Sequence, residues 1–135
     1  MDEAKNDLVR AWLRAAKSDL GSARKLLSGD DAFPDTALYH CQQAAEKALK
    51  AFLLAQEVEF EKIHNLGVLL QACAEKDIRF TKLAEEADAL TPYATLYRYP
   101  EEMAEPDKAE AERAIQMADK FLVFVQSLRA GHGTP

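Results

Sequence analysis

The stretch YHCQQAAEKALKAFLL, residues 39–54, decides the fold of this chain. It is dominated by Ala, Leu, Glu, Lys and Gln, which are strong helix formers. Placed at 100° per residue, the stretch and its flank separate into two arcs. The apolar arc contains Leu38, Cys41, Ala45, Ala48, Leu49 and Phe52, and the polar arc contains Tyr39, His40, Gln43, Glu46, Lys47 and Lys50. The stretch therefore predicts an amphipathic helix over about residues 33–56, with Pro34 in its first turn.

The same period continues on both sides, and no segment alternates as a strand does. One helix is predicted before this stretch, over about residues 3–27. Three follow it: a short helix over 66–77 with Asn65 as its cap, a helix over 82–97 with Thr81 as its cap, and a closing helix over about 108–129 started by Asp107 and Glu110.

Pro92 falls inside the fourth of these helices and predicts a break near Leu90. The sum is an all-α protein, an up-and-down bundle of four or five helices. We expect the bundle to occupy residues 1–129 and residues 130–135 to form a flexible tail.

Composition and charge limit the classes of function. The net charge of −6 does not favour nucleic acid, so any contact with a nucleotide or RNA requires a local cluster of cations. No apolar run is long enough for a membrane span, and the N-terminus lacks the apolar core of a signal peptide, so we expect a cytoplasmic protein without a membrane partner. Cys41 and Cys73 are interpreted as buried thiols, and the three histidines have no metal-ligand spacing, so neither metal nor cofactor is predicted.

Surplus apolar surface predicts a homodimer. The closing helix is apolar over about half its circumference, more than one small bundle would cover. The second helix also carries a seam of small residues, Ala44, Ala48 and Ala51, that permits close approach of another helix. Exposed apolar patches of this kind tend to mark interfaces.

Three blocks carry a resemblance to a known family: YHCQQAAEKALKAFLL (39–54), KIHNL (62–66) and LTPYATLYRYP (90–100). Their order and spacing resemble the HEPN domain, over roughly residues 5–129. The resemblance implies a helical bundle that dimerises, and a partner that is a minimal nucleotidyltransferase, with which it would form a two-component, toxin–antitoxin-like pair. It also implies ribonuclease activity where an Arg is followed, after four to six residues, by a His.

This sequence departs from that ribonuclease motif. Counted from Arg98, the positions of the His hold Met103, Ala104 and Glu105. Metal-independent cleavage of RNA needs a base as well as a cation, so no catalytic residue is assigned. Three hypotheses stay open: a non-catalytic module that binds a nucleotide or RNA, an atypical metal-independent endoribonuclease that uses Arg98 with His64, and a purely structural or adaptor bundle.

The candidate ligand-binding residues are Arg98, Tyr99, His64, Lys47, Lys50 and His40. Because Pro100 ends a helix, we expect Arg98 at the C-terminal end of the fourth helix, facing a cleft shared with His64 and Lys47, where its guanidinium holds an anionic group. The alternative for Arg98 is a helix cap, and for His64 a loop residue that supports a helix start. The alternative for the two lysines is a solvated or inter-subunit face.

Overall fold

The computed structural model describes residues 2–60, 62–97 and 105–133, with side chains described up to residue 129. Its α-helices are α1 (Glu3–Leu26), α2 (Pro34–Ala55), α3 (Leu66–Lys76), α4 (Ala84–Leu90) and α5 (Lys108–Gly133). Two short 3₁₀ helices, Ile78–Leu83 and Thr91–Ala94, flank α4. The described part of the chain contains no strand, so the predicted all-α bundle is confirmed.

Carboxylate and amide side chains start the helices as predicted. Asn65 accepts a hydrogen bond from the Val68 amide at 3.1 Å, and Asp107 accepts one from the Glu110 amide at 2.8 Å. Such caps satisfy amides that have no partner within the helix. The carboxylate of Glu110 itself accepts the Tyr93 hydroxyl at 2.5 Å. This bond ties α5 to the segment that follows α4.

Helix α2 is the centre of the bundle, because it contacts α1, α3, α4 and α5. Three aromatic rings close the core beside it: Phe80 lies 4.6 Å from Phe52 and 4.8 Å from Phe124, measured between ring centroids. Phe80 is fully buried. Aromatic pairs at these distances add to the stabilisation that burial gives.

The fourth predicted helix has a different start and a shorter extent than predicted, but its predicted break near Leu90 is confirmed. Thr81 does not cap it: Thr81 lies inside the first 3₁₀ helix and its hydroxyl donates to the Ile78 carbonyl at 2.8 Å. Helix α4 ends at Leu90, where the break was predicted, because Pro92 has no N–H to continue the helical hydrogen bonds. Residues 91–97 then form a 3₁₀ helix and a turn instead of continuing to Tyr97 as an α-helix.

The alanine seam does not supply free surface for a dimer. Ala44, Ala48 and Ala51 are all fully buried within the chain. Most of the apolar face of α5 is buried as well. Among the described residues of α5, Val123 is the one large hydrophobic side chain that is mainly exposed, at 53%. Helix α5 itself continues to Gly133, beyond the predicted end at residue 129. The homodimer and the flexible tail stay predictions.

Over the residues searched, no helix combines the length and the apolar character that a membrane span requires.

Candidate functional site

A ladder of three polar side chains, Gln42, Glu46 and Lys50, runs along α2 at intervals of one turn. The carboxylate of Glu46 accepts from the Gln42 amide at 3.0 Å and from the Lys50 ammonium at 2.9 Å. It also meets Nδ1 of His64 at 3.1 Å. All three side chains of the ladder are buried. A buried charge pair is tolerated only when hydrogen bonds satisfy it, and here both charges have partners.

The connector between α2 and α3 covers this ladder. The Phe60 ring lies 5.6 Å from the Lys50 ammonium and makes an edge-on contact with Trp12 of α1. The Gln42 amide also donates to the His64 carbonyl at 3.4 Å. Glu57 and Lys62 take positive φ angles, 61° and 65°, which let the connector fold back over α2. The connector thus helps to bury Glu46 and Lys50, two residues that the sequence places on the polar arc of α2.

Two opposing effects set the pKa of the Glu46 carboxyl. Burial alone would raise this pKa. Hydrogen bonds from Lys50, Gln42 and His64 stabilise the ionised form and together outweigh burial, so the pKa lies below its usual value. Glu46 is therefore ionised at neutral pH and holds both Lys50 and His64 in place.

A second cluster lies between α1 and α2, around Asp19. One carboxylate oxygen of Asp19 is 2.8 Å from Nδ1 of His40, and the other accepts from the Lys47 ammonium at 2.6 Å. Because an ionised carboxylate can only accept, Nδ1 of His40 carries the proton and Nε2 is the atom that can accept a proton in the neutral ring. Carboxylates orient general-base histidines in the same way.

A hollow of about 350 Å³ opens beside the start of α2, lined by Asp35, Thr36, Tyr39, Leu96 and Tyr97. Tyr39 also makes an edge-on contact with His40, with centroids 5.7 Å apart, so the hollow adjoins the Asp19 cluster. The Tyr97 ring stacks on Tyr93 at 6.4 Å, and the Tyr97 backbone has a φ of 66°. Burial and the neighbouring Glu110 raise the pKa of the Tyr93 hydroxyl, which keeps it protonated as a donor.

The predicted site residues do not form one cluster. His40 and Lys47 share Asp19, whereas Lys50 and His64 share Glu46. Lys50 is buried in the ladder, but 68% of the His64 side chain is exposed. Arg98 and Tyr99 directly follow Tyr97 in sequence and lie outside the described residues. The proposed cleft of Arg98, His64 and Lys47 stays a hypothesis, and the helix that was expected to reach Arg98 ends before it.

No role was predicted from the sequence for Asp19, Gln42 or the hollow residues Asp35 and Thr36. Asp19 gave a signal that could have been used, since it lies at the border of the apolar face of α1, directly before the buried Leu20. A carboxylate at that border points toward a neighbouring helix and needs a partner there. Within the ranges that the structure describes, no three His, Cys, Asp or Glu side chains are grouped so as to hold a metal ion.

Comparisons with known proteins agree with this architecture. The model of the HEPN domain family matches residues 9–128. The protein named "Putative toxin MJ1304" of Methanocaldococcus jannaschii is 27% identical over 132 residues, which cover 87% of this chain and 86% of the relative.

Two crystal structures are similar in fold. TT1696 from Thermus thermophilus has a TM-score of 0.77 and 32% identity, covering 88% of this chain and 96% of that one. ST0689, an archaeal HEPN homologue, has a TM-score of 0.70 and 28% identity, covering 89% and 96%. Because the family model covers most of the chain and both folds align along nearly their whole length, this chain belongs to the HEPN domain family.

Proposed function

We propose that the protein is a non-catalytic HEPN module that binds a nucleotide or RNA, forms a homodimer, and acts in the cytoplasm with a minimal nucleotidyltransferase in a toxin–antitoxin-like pair. Family membership and the Methanocaldococcus relative named as a toxin support the toxin–antitoxin setting. No His stands at residues 103–105, where four to six residues would separate it from Arg98, and this supports a module without ribonuclease activity.

The hollow beside α2 is the observation that carries the binding proposal. Three of its five lining residues belong to family blocks, Tyr39 to the first and Leu96 and Tyr97 to the third. Tyr39 and Tyr97 offer aromatic faces of the kind on which bases stack. The carboxylate of Asp35 suits amino or hydroxyl donors of a nucleoside. Arg98 follows the hollow directly in sequence and would supply the cation for a phosphate.

Calorimetry with adenosine and guanosine triphosphate at low salt tests the binding. We expect Arg98→Ala and Tyr39→Ala each to weaken binding while the melting temperature stays nearly unchanged. Lys76→Ala is the matched control for Arg98→Ala, because it removes one exposed cation from α3, away from the hollow. Equal affinity of the wild type and Arg98→Ala would refute the phosphate clamp. An absence of binding by the wild type would favour the adaptor hypothesis.

The partner is tested by genetics and co-purification. The two-component proposal predicts that a small nucleotidyltransferase is encoded beside this chain and co-purifies with it. This partner should also relieve any growth arrest that the chain causes in a bacterial host. Growth arrest that persists when both proteins are expressed would count against it.

A second candidate function, an atypical endoribonuclease, is favoured by the histidine geometry. Nδ1 of His64 is held by Glu46 while most of the ring is exposed, which leaves Nε2 accessible for proton transfer. Nδ1 of His40 is held by Asp19 in the same way, although only 28% of the His40 side chain is exposed. Arg98 would stabilise the charge of the transition state.

An RNA cleavage assay separates the two candidates. The non-catalytic proposal predicts no cleavage of a labelled RNA by purified protein under single-turnover conditions in the presence of a chelator. Cleavage that is abolished in His64→Ala or His40→Ala and kept in His132→Ala would establish the ribonuclease instead.

A further inference from the structure

One face of α1 carries a row of cations that the candidate site does not use. At 100° per residue, five side chains fall within about 100° of one another on this helix. They are Arg10, Arg14, Lys17, Arg24 and Lys25, and all five are exposed. We call this surface the α1 basic face. It is notable in a chain whose net charge is −6, because it is the kind of local cation cluster that such a chain needs to bind a polyanion.

The charges of this face are mostly not neutralised within the chain. Arg14, Lys17 and Lys25 form no ion pair with any residue that the structure describes. Arg10 pairs with Asp7, and Arg24 lies 3.5 Å from Asp119 of α5. Both pairs are about half exposed, and such pairs contribute little to stability. Their cations can therefore exchange a carboxylate for an incoming anion at small cost.

The α1 basic face is a straight row and not a compact patch. The row begins with Arg10, Arg14 and Lys17, which are about one helical turn apart, and ends with Arg24 and Lys25, about two turns after Lys17. From Arg10 to Lys25 the helix rises by about 22 Å. In the middle of the row lies Gly21, and the space that a side chain would take there is open. A long anion can therefore approach the helix backbone between Lys17 and Arg24.

The residues of this row select among classes of ligand. Amphipathic helices that lie on membranes need large apolar side chains beside their cations, and the α1 basic face has none, since the exposed Leu8 points to another side of α1. A single nucleotide would reach only one or two of the five cations. A nucleic acid presents a continuous row of phosphates that can contact the cations along the whole length of the α1 basic face.

We infer that the α1 basic face binds the phosphodiester backbone of a nucleic acid and is a surface separate from the hollow beside α2. Asp19, which holds His40 and Lys47 next to the hollow, lies on the opposite side of the same helix. The inference goes beyond the proposed function: it adds a polymer-binding surface, and it stands whether or not the hollow binds a nucleotide.

Fluorescence anisotropy with a labelled single-stranded 12-mer of uridylate, and with the thymidylate DNA 12-mer, tests this surface. Contact of a single-stranded probe with five cations gives a slope of about −3.5 for log Kobs against log salt, or a loss of about 100-fold between about 50 and 200 mM salt. The variant Arg14→Gln/Lys17→Gln is expected to have a slope of about −2.1 and a loss of about 20-fold. Gln keeps a high helix propensity, so the fold is expected to survive.

The matched control is Lys62→Gln/Lys76→Gln, which removes the same charge from exposed lysines of the connector and of α3. We expect this control to keep the wild-type slope. The same slope in all three proteins, or an equal decrease in the control and the α1 variant, would overturn the inference. Labelled poly-glutamate of equal length tests an acidic protein partner. If it binds as tightly as RNA, and if its binding depends on Arg14 and Lys17 to the same degree, the α1 basic face is reassigned to such a partner.

Calorimetry with adenosine triphosphate keeps the two proposals apart. The α1 variant is expected to bind it as the wild type does, since neither Arg14 nor Lys17 lines the hollow. The protein could bind the 12-mers through Arg14 and Lys17 and yet bind no triphosphate. This result would support the α1 basic face and remove the proposed role of the hollow.

Discussion

Substitution of Glu46 by Leu tests whether the buried ladder stabilises the bundle. In the wild type, Glu46 and Lys50 each expose only 7% of their side chains, and 2.9 Å separates their charged atoms. Glu46→Leu would leave the Lys50 ammonium buried without its carboxylate, and the Gln42 amide and His64 would lose an acceptor as well. Removal of one partner of a buried pair costs about 3–5 kcal/mol of the free energy of unfolding.

The pair Glu46 and Lys50 also gives a thermodynamic cycle. Lys50→Met is expected to cost less than Glu46→Leu, about 1–3 kcal/mol, because Glu46 keeps the hydrogen bonds from Gln42 and His64. The double variant Glu46→Leu/Lys50→Met carries no buried charge at these positions, so we expect it to regain most of the lost stability. The two single costs should therefore be far from additive.

Urea unfolding at pH 7, followed by circular dichroism at one fixed protein concentration, measures these changes. With an m-value of about 2 kcal/mol per molar urea, Glu46→Leu should lower the unfolding midpoint by about 1.5–2.5 M. The control Glu112→Ala, on an exposed position of α5, should change stability by less than about 0.5 kcal/mol. A cost below about 1 kcal/mol for Glu46→Leu, or a double variant whose cost is the sum of the singles, would refute the reasoning.

The dependence on pH provides an independent check of the same ladder. The folded pKa of Glu46 lies below the unfolded value, so its contribution is fully present above the unfolded pKa and is lost as the pH falls through the folded pKa. The difference in stability between wild type and Glu46→Gln should therefore shrink as the pH is lowered from about 5 to about 3. If the difference in stability stays constant over this range, the ionised carboxylate of Glu46 is not the source of the stabilisation.

Three further predictions concern the cap, the thiols and the assembly. Asn65→Ala should cost about 1 kcal/mol of unfolding free energy by urea titration, because the amide of Val68 loses its acceptor; a change near zero would contradict this role. Burial raises the pKa of the Cys41 and Cys73 thiols to about 12, so neither should react with a disulfide reagent at pH 8 until the protein is unfolded. Light scattering should give twice the chain mass of 15.0 kDa, and a monomer at micromolar concentration would oppose the homodimer.

The sequence by itself determined the all-α class and most boundaries of α1, α2, α3 and α5, but not the two 3₁₀ helices that flank α4. The period of apolar side chains in α1, α2, α3 and α5 is a local property, and helices form where it is long and regular. Caps such as Asn65 and Asp107 accept hydrogen bonds from amides three residues away, so their role can also be predicted from the local sequence. The three family blocks could likewise be recognised from the sequence, since each block is a short continuous stretch of residues.

Only the tertiary structure decided which polar side chains are buried and with which partner. The sequence placed Glu46 and Lys50 on a polar arc and suggested solvent or a ligand, because periodicity describes one helix and not what folds over it. Phe60 and His64 of the connector lie against Lys50 and Glu46, and α1 supplies Asp19 to His40 and Lys47 from 21 and 28 positions earlier in the chain. Contacts between distant segments depend on how the helices pack, and this is why the second carboxylate cluster and the hollow became visible only in three dimensions. The helical period aligns the cations of the α1 basic face, and the packing of the helices decided that these cations stay exposed.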